Sequence, residues 1–512
     1  MKKITALLIM IIPLLLFYAL PAGADEKEER KWQDESIYFT MVDRFMNGDF
    51  SNDQDADPND PKAFQGGDLK GVIEKLDYIK DMGFTTIWLT PIMDNGPGGY
   101  HGYWIEDFKS VDEHFGTLED AKRLVEEAHE RDMKVIFDFV VNHTGNEHPW
   151  LDDPEKENWY HEEKRIMGES QETLENGWLA GLPDLNTENE EVKNYLFDAA
   201  EFWIEETGVD GFRLDTVKHV PKSFWADFSN HVKSIDEDFF LLGEVWSENS
   251  DYIAGYEEAG IDGFVNYPFY EQASQIFSES GKQSLNPLYN VWERNNDAFS
   301  NPHLMGNFLD NHDNKRFTRR AIENDQNPVT RWKLGLTYMF TSPGIPIVYY
   351  GSEVPLDGGE DPDNRRMMNF KAGDQDLNQR LDKLNAMRDQ YPALTRGAFE
   401  QLYDDEGMTV FKRSLDHQTL VVAINNDQST RTAELESLPN DHQLRGLLHD
   451  GLVRSQSDGT YKLSLEREQA DVFLLEENQG INWLFISFVL GVMGIFVGAV
   501  GYISLKNRRN QL

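Results

Sequence analysis

The sequence predicts an α/β protein. It is a (β/α)8 barrel with a small domain inserted after the third strand, followed by an antiparallel β-sandwich and a C-terminal transmembrane helix. Three observations lead there. Short apolar runs alternate with amphipathic helical stretches over 36–390. These runs are apolar on both faces, as in a parallel sheet covered by helices. Three acids, Asp215, Glu244 and Asp313, each follow such a run as it ends, and barrel sites lie at C-terminal strand ends.

The N-terminus reads as an export signal over 1–24. Lys2 and Lys3 precede an apolar run, and Ala22-Gly23-Ala24 supplies a small-residue cleavage site. A charged leader follows over 25–35. The first strand is expected at Ser36–Val42. Leu69, Val72, Ile73, Leu76 and Ile79 have helical spacing, with Gly83 ending that helix. Phe84–Thr90 is the second strand, Leu118 to Arg131 a helix, and Lys134–Val141 the third strand. Positions 142–189, rich in Asp, Glu, Asn, Gly and Trp, break the rhythm and form the inserted domain. The barrel then resumes over 190–390 with helix Glu191–Thr207, strand Asp210–Leu214, helix Ser223–Ser234 and strands Phe239–Val245 and Gly263–Tyr267. Helical stretches near 269–299 and 327–340 flank strand Met305–Leu309, and Pro346–Gly351 is the eighth strand. A helix from Asn378 to about Tyr391 closes the barrel. Short alternating strands such as TVFKRS and TLVVAIN place the sandwich at 391–477.

Trp483 to Leu505 contains no charged residue and is followed by Lys506, Arg508 and Arg509. About 20 apolar residues cross a bilayer, and the basic tail 506–512 belongs in the cytoplasm. The protein is therefore expected at the outer face of the cell membrane, retained by this anchor or released by processing. The chain has no cysteine and a formal charge of −43. Disulfides and thiolate sites are excluded, and such a surface repels nucleic acid and anionic lipid. A neutral polymer is indifferent to it.

A proton donor and an anionic nucleophile about 5 Å apart cleave a glycosidic bond with retention. One acid must stay protonated while its neighbour stays ionised. Arg213 lies two residues before Asp215, on the same side of a strand, and would hold Asp215 anionic.

DFVVNH (138–143), LPDLN (182–186), GFRLDTVKH (211–219), GEVW (243–246) and FLDNHD (308–313) occur in this order. Together with GYHGYW (99–104) and GIPIVYYGSE (344–353), they resemble the signature segments of the α-amylase family of glycoside hydrolases. The resemblance implies that Asp215 is the nucleophile, Glu244 the acid/base and Asp313 the stabiliser of the distorted sugar. It implies sugar contacts from His143 and His312, stacking from Tyr103 flanked by His101 and Trp104, leaving-group contacts from Lys218 and His219, and a polar clamp from Asp361 and Arg365.

The resemblance also implies calcium at one or two sites. Asn142, Asp184 and the His219 carbonyl match the family's site between barrel and inserted domain. Asn47, Asp49, Asn52, Asp53, Gly66 and Asp68 resemble the N-terminal calcium loop of cyclodextrin glucanotransferases. Oxygen ligands of these kinds suit a hard cation.

The function expected is retaining endo-hydrolysis of α-1,4 bonds in starch-like glucans, by a monomer acting on polysaccharide or maltooligosaccharide. The alternatives are a transglycosylase, or a maltogenic or cyclodextrin-degrading amylase. Trp246 stands where the typical cyclodextrin-forming enzyme has phenylalanine, which favours hydrolysis. An inactive, anchored glucan-binding protein is the remote alternative, and the presence of all three acids argues against it.

Overall fold

The structure is a computed structural model that describes residues 30–478 and 483–509. The expected signal peptide, residues 25–29 of the leader and the last three residues of the basic tail lie outside the described residues.

Eight parallel strands form the barrel, and their pairing follows the chain around the ring. They are β1 (Ile37–Thr40), β2 (Thr86–Leu89), β5 (Lys134–Phe139), β6 (Gly211–Leu214), β7 (Phe240–Gly243), β8 (Gly263–Phe264), β9 (Gly306–Asn307) and β10 (Ile345–Tyr349). The sheet order is β8-β7-β6-β5-β2-β1-β10-β9. A parallel bridge from Val265 to Gly306 joins its two edges, reinforced by Asn266 N–H donating to the Gly306 carbonyl at 2.8 Å. All eight expected strands are present, each shorter than its apolar run. Past the paired residues the chain stays apolar because it still packs in the core, as Phe308 and Leu309 do.

Two local expectations are corrected. The helix over Leu69 to Ile79 is two helices, Leu69–Glu74 and Leu76–Asp81, broken at Lys75 where φ is −108° and ψ 3°. Its apolar period runs straight through the break. The segment between β2 and the next helix carries an unforeseen hairpin, β3 (Met93–Asn95) with β4 (Ile105–Val111). The hairpin delivers His101, Tyr103 and Trp104 from its connecting loop to the mouth of the barrel.

The surrounding helices start on ordinary caps. Thr117 and Asp120 form a capping box for Leu118–Glu130. Asn189 caps Glu190–Thr207, which ends on left-handed Gly208. The insertion is mostly short 3-10 turns held by bridges such as His143 to Asp184 and Tyr160 to Leu185.

The C-terminal domain is a six-stranded antiparallel sheet facing a two-stranded one. The larger contains β11 (Ala398–Asp405), β12 (Met408–Leu415), β13 (Gln418–Asn425), β15 (His442–Gly446), β16 (Leu452–Arg454) and β18 (Gln469–Glu477). The smaller pairs β14 (Arg431–Leu435) with β17 (Tyr461–Leu465). The two-residue alternation of β13 divides its burial. Val421 and Ala423 enter the sandwich core, while Leu420, Val422 and Ile424 pack toward the barrel. Arg331 completes the joint by donating to the Glu279 carbonyl at 2.6 Å, Asn426 Oδ1 at 2.8 Å and Glu468 at 3.0 Å.

Helix Trp483–Arg509 has a mean hydropathy of 2.2 over its most apolar window, and its described side chains are exposed rather than packed on the body. By length and composition it can cross a membrane.

Candidate active site

Arg213 organises the barrel mouth. Its β6 position turns it inward, where it is 1% exposed. Nη1 donates to Asp138 Oδ1 and Oδ2 at 2.9 and 3.0 Å and to Asp215 Oδ1 at 2.7 Å. Nη2 lies 2.6 Å from Glu244 Oε1. One cation therefore serves three buried carboxylates. Burial raises the pKa of all three, opposed chiefly by Arg213, and Asp138 rises to about 7. The balance differs between the other two. Asp215 also accepts the Thr216 hydroxyl at 3.0 Å, which favours its anion. The charge of Asp313 raises both, and that of Asp215 raises Glu244 further.

Thr216 stands between these two carboxylates. It is left-handed (φ 47°, ψ 40°), uncommon for a β-branched residue. The turn aims its N–H at Glu244 Oε2 at 3.1 Å, while its hydroxyl meets Asp215.

Opposite, Asp313 lies 3.3 Å from both Arg365 Nη2 and His312 Nε2. Arg365 also pairs with Asp361 at 3.2 Å and donates to the His312 carbonyl at 2.9 Å. Tyr103 stacks on His312, with centroids 5.2 Å apart and planes 12° apart, and donates to Asp138 at 2.8 Å. Burial drives His143 down to about 4 and His312 well below its ordinary value, so both rings stay neutral. His143 Nε2 and His312 Nδ1 are buried without a partner among the described residues, leaving each a free position for a hydroxyl.

A groove of about 460 Å³ is lined by Asp215, Glu244, Asp313 and every expected sugar-contacting residue except Arg213, which lies beneath it. Lys218 is held by the Trp246 carbonyl at 2.9 Å. His219 donates from Nδ1 to the Leu174 carbonyl at 3.0 Å.

The sequence reasoning passed over Asp138, Thr216 and Tyr267, and Leu179, Ala180 and Leu182, which the insertion adds to the groove. A charged residue inside an apolar strand must be paired, so Asp138 in KVIFDF carried a readable signal. Tyr267, whose hydroxyl donates to Glu244 Oε1 at 2.9 Å, carried none.

Two oxygen clusters could hold a hard cation. One end of the Asn142 amide lies 3.0 Å from the His219 carbonyl and 3.3 Å from Asp184 Oδ1, and the other 3.2 Å from His143 Nδ1. With its oxygen toward Asp184, three oxygens converge with no donor between them. In the N-terminal loop, Asn47 Oδ1, Asn52 Oδ1 and Asp53 Oδ1 are buried without hydrogen-bond partners. A Cβ on Gly66 would come within 2.6 Å of Asn47 and Asp53. The Asp49 and Asp68 carboxylates are engaged elsewhere. Asp49 accepts from Ser51 and Lys70, and Asp68 from the N–H groups of Gly71, Gly48 and Asp49.

A barrel with acids, arginines and neutral histidines converging on a groove at its strand ends has the fold and site of a glycoside hydrolase. Residues 39–391 match the α-amylase catalytic domain family, and residues 397–473 match the α-amylase C-terminal domain. The chain belongs to the α-amylase family. An Anoxybacillus α-amylase structure is 59% identical, covers 88% of this chain and 100% of its own, and superimposes with a TM-score of 0.87. An acarbose complex of the Geobacillus thermoleovorans α-amylase is 57% identical with the same coverage and a TM-score of 0.85. A Bacillus sp. cyclomaltodextrinase is 33% identical over 78% of this chain and 74% of its own. A Paenibacillus polymyxa β/α-amylase is 37% identical over 86% of this chain, which spans only 38% of that protein.

Proposed function

We propose that the protein hydrolyses α-1,4-glucosidic bonds with retention and acts on short and cyclic maltodextrins in the manner of a maltogenic or cyclodextrin-degrading amylase. One observation carries the chemistry. Asp215, Glu244 and Asp313 converge on one groove, with Asp215 and Glu244 sharing the buried Arg213 guanidinium. Asp215 then attacks the anomeric carbon as Glu244 protonates the departing oxygen, and Glu244 afterwards takes a proton from the water that releases the sugar. Asp313 stabilises the cationic ring, His143 and His312 bind its hydroxyls, and Tyr103 covers its apolar face. Lys218, His219 and Trp246 serve the leaving-group side, with Asp361 and Arg365 clamping the next sugar.

Relatives named cyclomaltodextrinase, neopullulanase and intracellular maltogenic amylase support the short-substrate preference. Endo-hydrolysis of starch is the second reading, supported by the two amylase structures at 57–59% identity. Reducing-sugar release and products on starch, cyclodextrin and pullulan separate the two. Faster turnover of cyclodextrin supports the first, and long products from starch with cyclodextrin left intact overturn it. Undiminished activity in Asp215→Asn removes the nucleophile assignment.

Calcium fits the Asn142–Asp184–His219 oxygens and the Asn47–Asn52–Asp53 loop. Its chemistry there is structural, tying insertion to barrel and closing the loop. Helix Trp483–Arg509 would hold the enzyme at the membrane with its body outside, near the importers of its products.

A further inference from the structure

Tyr267 follows β8, is fully buried, and touches Glu244 from the side opposite Thr216's strand turn. Two groups converge on one oxygen of the Glu244 carboxyl. Oε1 accepts the Tyr267 hydroxyl at 2.9 Å and lies in ion-pair contact with Arg213 Nη2 at 2.6 Å. Oε2 receives a single backbone N–H, from Thr216, at 3.1 Å. Across the stack, the Trp246 ring lies 5.0 Å from the Tyr267 ring at 12°. Trp246 is 46% exposed and lines the groove.

We infer that Tyr267 is a positioning residue that, with Arg213, fixes Glu244 Oε1 as a permanent hydrogen-bond acceptor, so that Oε2 alone carries the transferable proton. This rests on Glu244 acting as the acid/base. An oxygen that accepts a hydroxyl and lies against a guanidinium nitrogen has no room for its own hydrogen, whereas one accepting a single N–H keeps a lone pair for it. In the forward step the Oε2 proton passes to the glycosidic oxygen as its bond to the anomeric carbon breaks. Asp215 bonds to that carbon, and Glu244 is left as a carboxylate held by Tyr267, Arg213 and Thr216. Burial and the charge of Glu244 keep the Tyr267 hydroxyl protonated, so it donates throughout the cycle. The other charged or titratable groups facing Glu244 are Arg213, Asp215, Lys218, His219, His312 and Asp313. None offers Oε1 a second hydroxyl donor. Trp246 lines the groove and stacks on Tyr267, so the residue that orients the proton donor also supports the ring facing the leaving-group side.

The test uses the full chain and aryl α-maltosides whose phenols span a range of acidity. It reads kcat/KM, which reports only on formation of the glycosyl-enzyme. A good leaving group needs little protonation and a poor one needs it fully. Tyr267→Phe keeps the ring and its stack but loses the hydroxyl. The expected result is near wild-type kcat/KM for the most acidic phenol and a loss of about tenfold for the least acidic, part of the acid's full contribution. KM for the most acidic phenol stays unchanged. The alkaline limb of the pH profile moves upward, because removing a donor to the carboxylate raises its pKa. An equal loss for every phenol with an unmoved pH profile overturns the proposal and leaves Tyr267 as packing only. Glu244→Gln separates this from failure of the parent assignment, since loss independent of the leaving group in that variant removes Glu244 as the acid. A drop in melting temperature does not blur the result, because leaving-group dependence is a ratio within one preparation.

Discussion

Asp138 and Arg213 meet face on, Nη1 donating to both carboxylate oxygens at 2.9 and 3.0 Å. Asp138 has no exposure at all, so it acts through the guanidinium it aims and through Tyr103, whose hydroxyl it accepts. Asp138→Ala should cost about 3–5 kcal/mol of stability, the usual effect of breaking a buried pair. It should also lower kcat/KM by a hundredfold or more as Arg213 loses its aim. Thermal unfolding and steady-state kinetics check both. Asp138→Asn, which retains one acceptor, should fall between.

Activity should follow a bell in pH. The acid limb reflects protonation of Asp215, and the alkaline limb the loss of the Glu244 proton. Burial raises Glu244 above its ordinary value of 4.5, so activity persists above that pH and declines as pH rises through the raised value. The kcat/KM profile of the wild-type enzyme measures this, and Glu244→Gln should erase the alkaline limb.

Thr216 exchanges backbone comfort for two contacts. Thr216→Gly removes a left-handed penalty of about 1–2 kcal/mol and the hydroxyl on Asp215 together. The variant should melt no lower than wild type yet turn over more slowly, by about tenfold. A faster enzyme, or one that is much less stable, contradicts this account.

Calcium should raise the melting temperature, and a chelator should lower it. The effect approaches about 4 kcal/mol at a thousandfold excess over Kd. Asp184→Asn should weaken one response and Asp53→Asn the other, and the two effects should add because the sites share no residue. Calcium titrations followed by calorimetry resolve the pair.

Removing 479–512 should release the enzyme from the membrane fraction while leaving kcat/KM on soluble maltodextrin unchanged, because the helix makes no packed contact with the body. Cell fractionation with activity assays decides it.

The barrel was legible because parallel strands buried on both faces read as unbroken apolar runs. Their ends were less so. At Gly263–Tyr267 and Met305–Leu309 the apolar residues continue into core packing after pairing has stopped at Val265 and Asn307. The break at Lys75 was invisible because Leu76 and Ile79 keep the helical period across it. The three acids were legible locally, Asp215 and Glu244 directly following their strands and Asp313 in the loop after its own. Asp138 and Tyr267 reach the site from other strands, and only closure of the sheet brings them to Arg213 and Glu244. No spacing along the chain encodes that meeting.

Arg331 lies on barrel helix Pro328–Thr341 but finds two of its acceptors, Asn426 and Glu468, in the sandwich. Its guanidinium has no exposure, so separating the two domains would break these bonds and strip Leu420, Val422 and Ile424 of their cover. The sandwich therefore cannot melt first and leave a working barrel behind. The two halves should unfold as one cooperative unit, and a single calorimetric transition is the expected thermal signature of a molecule whose rear domain is part of its foundation rather than an appendage.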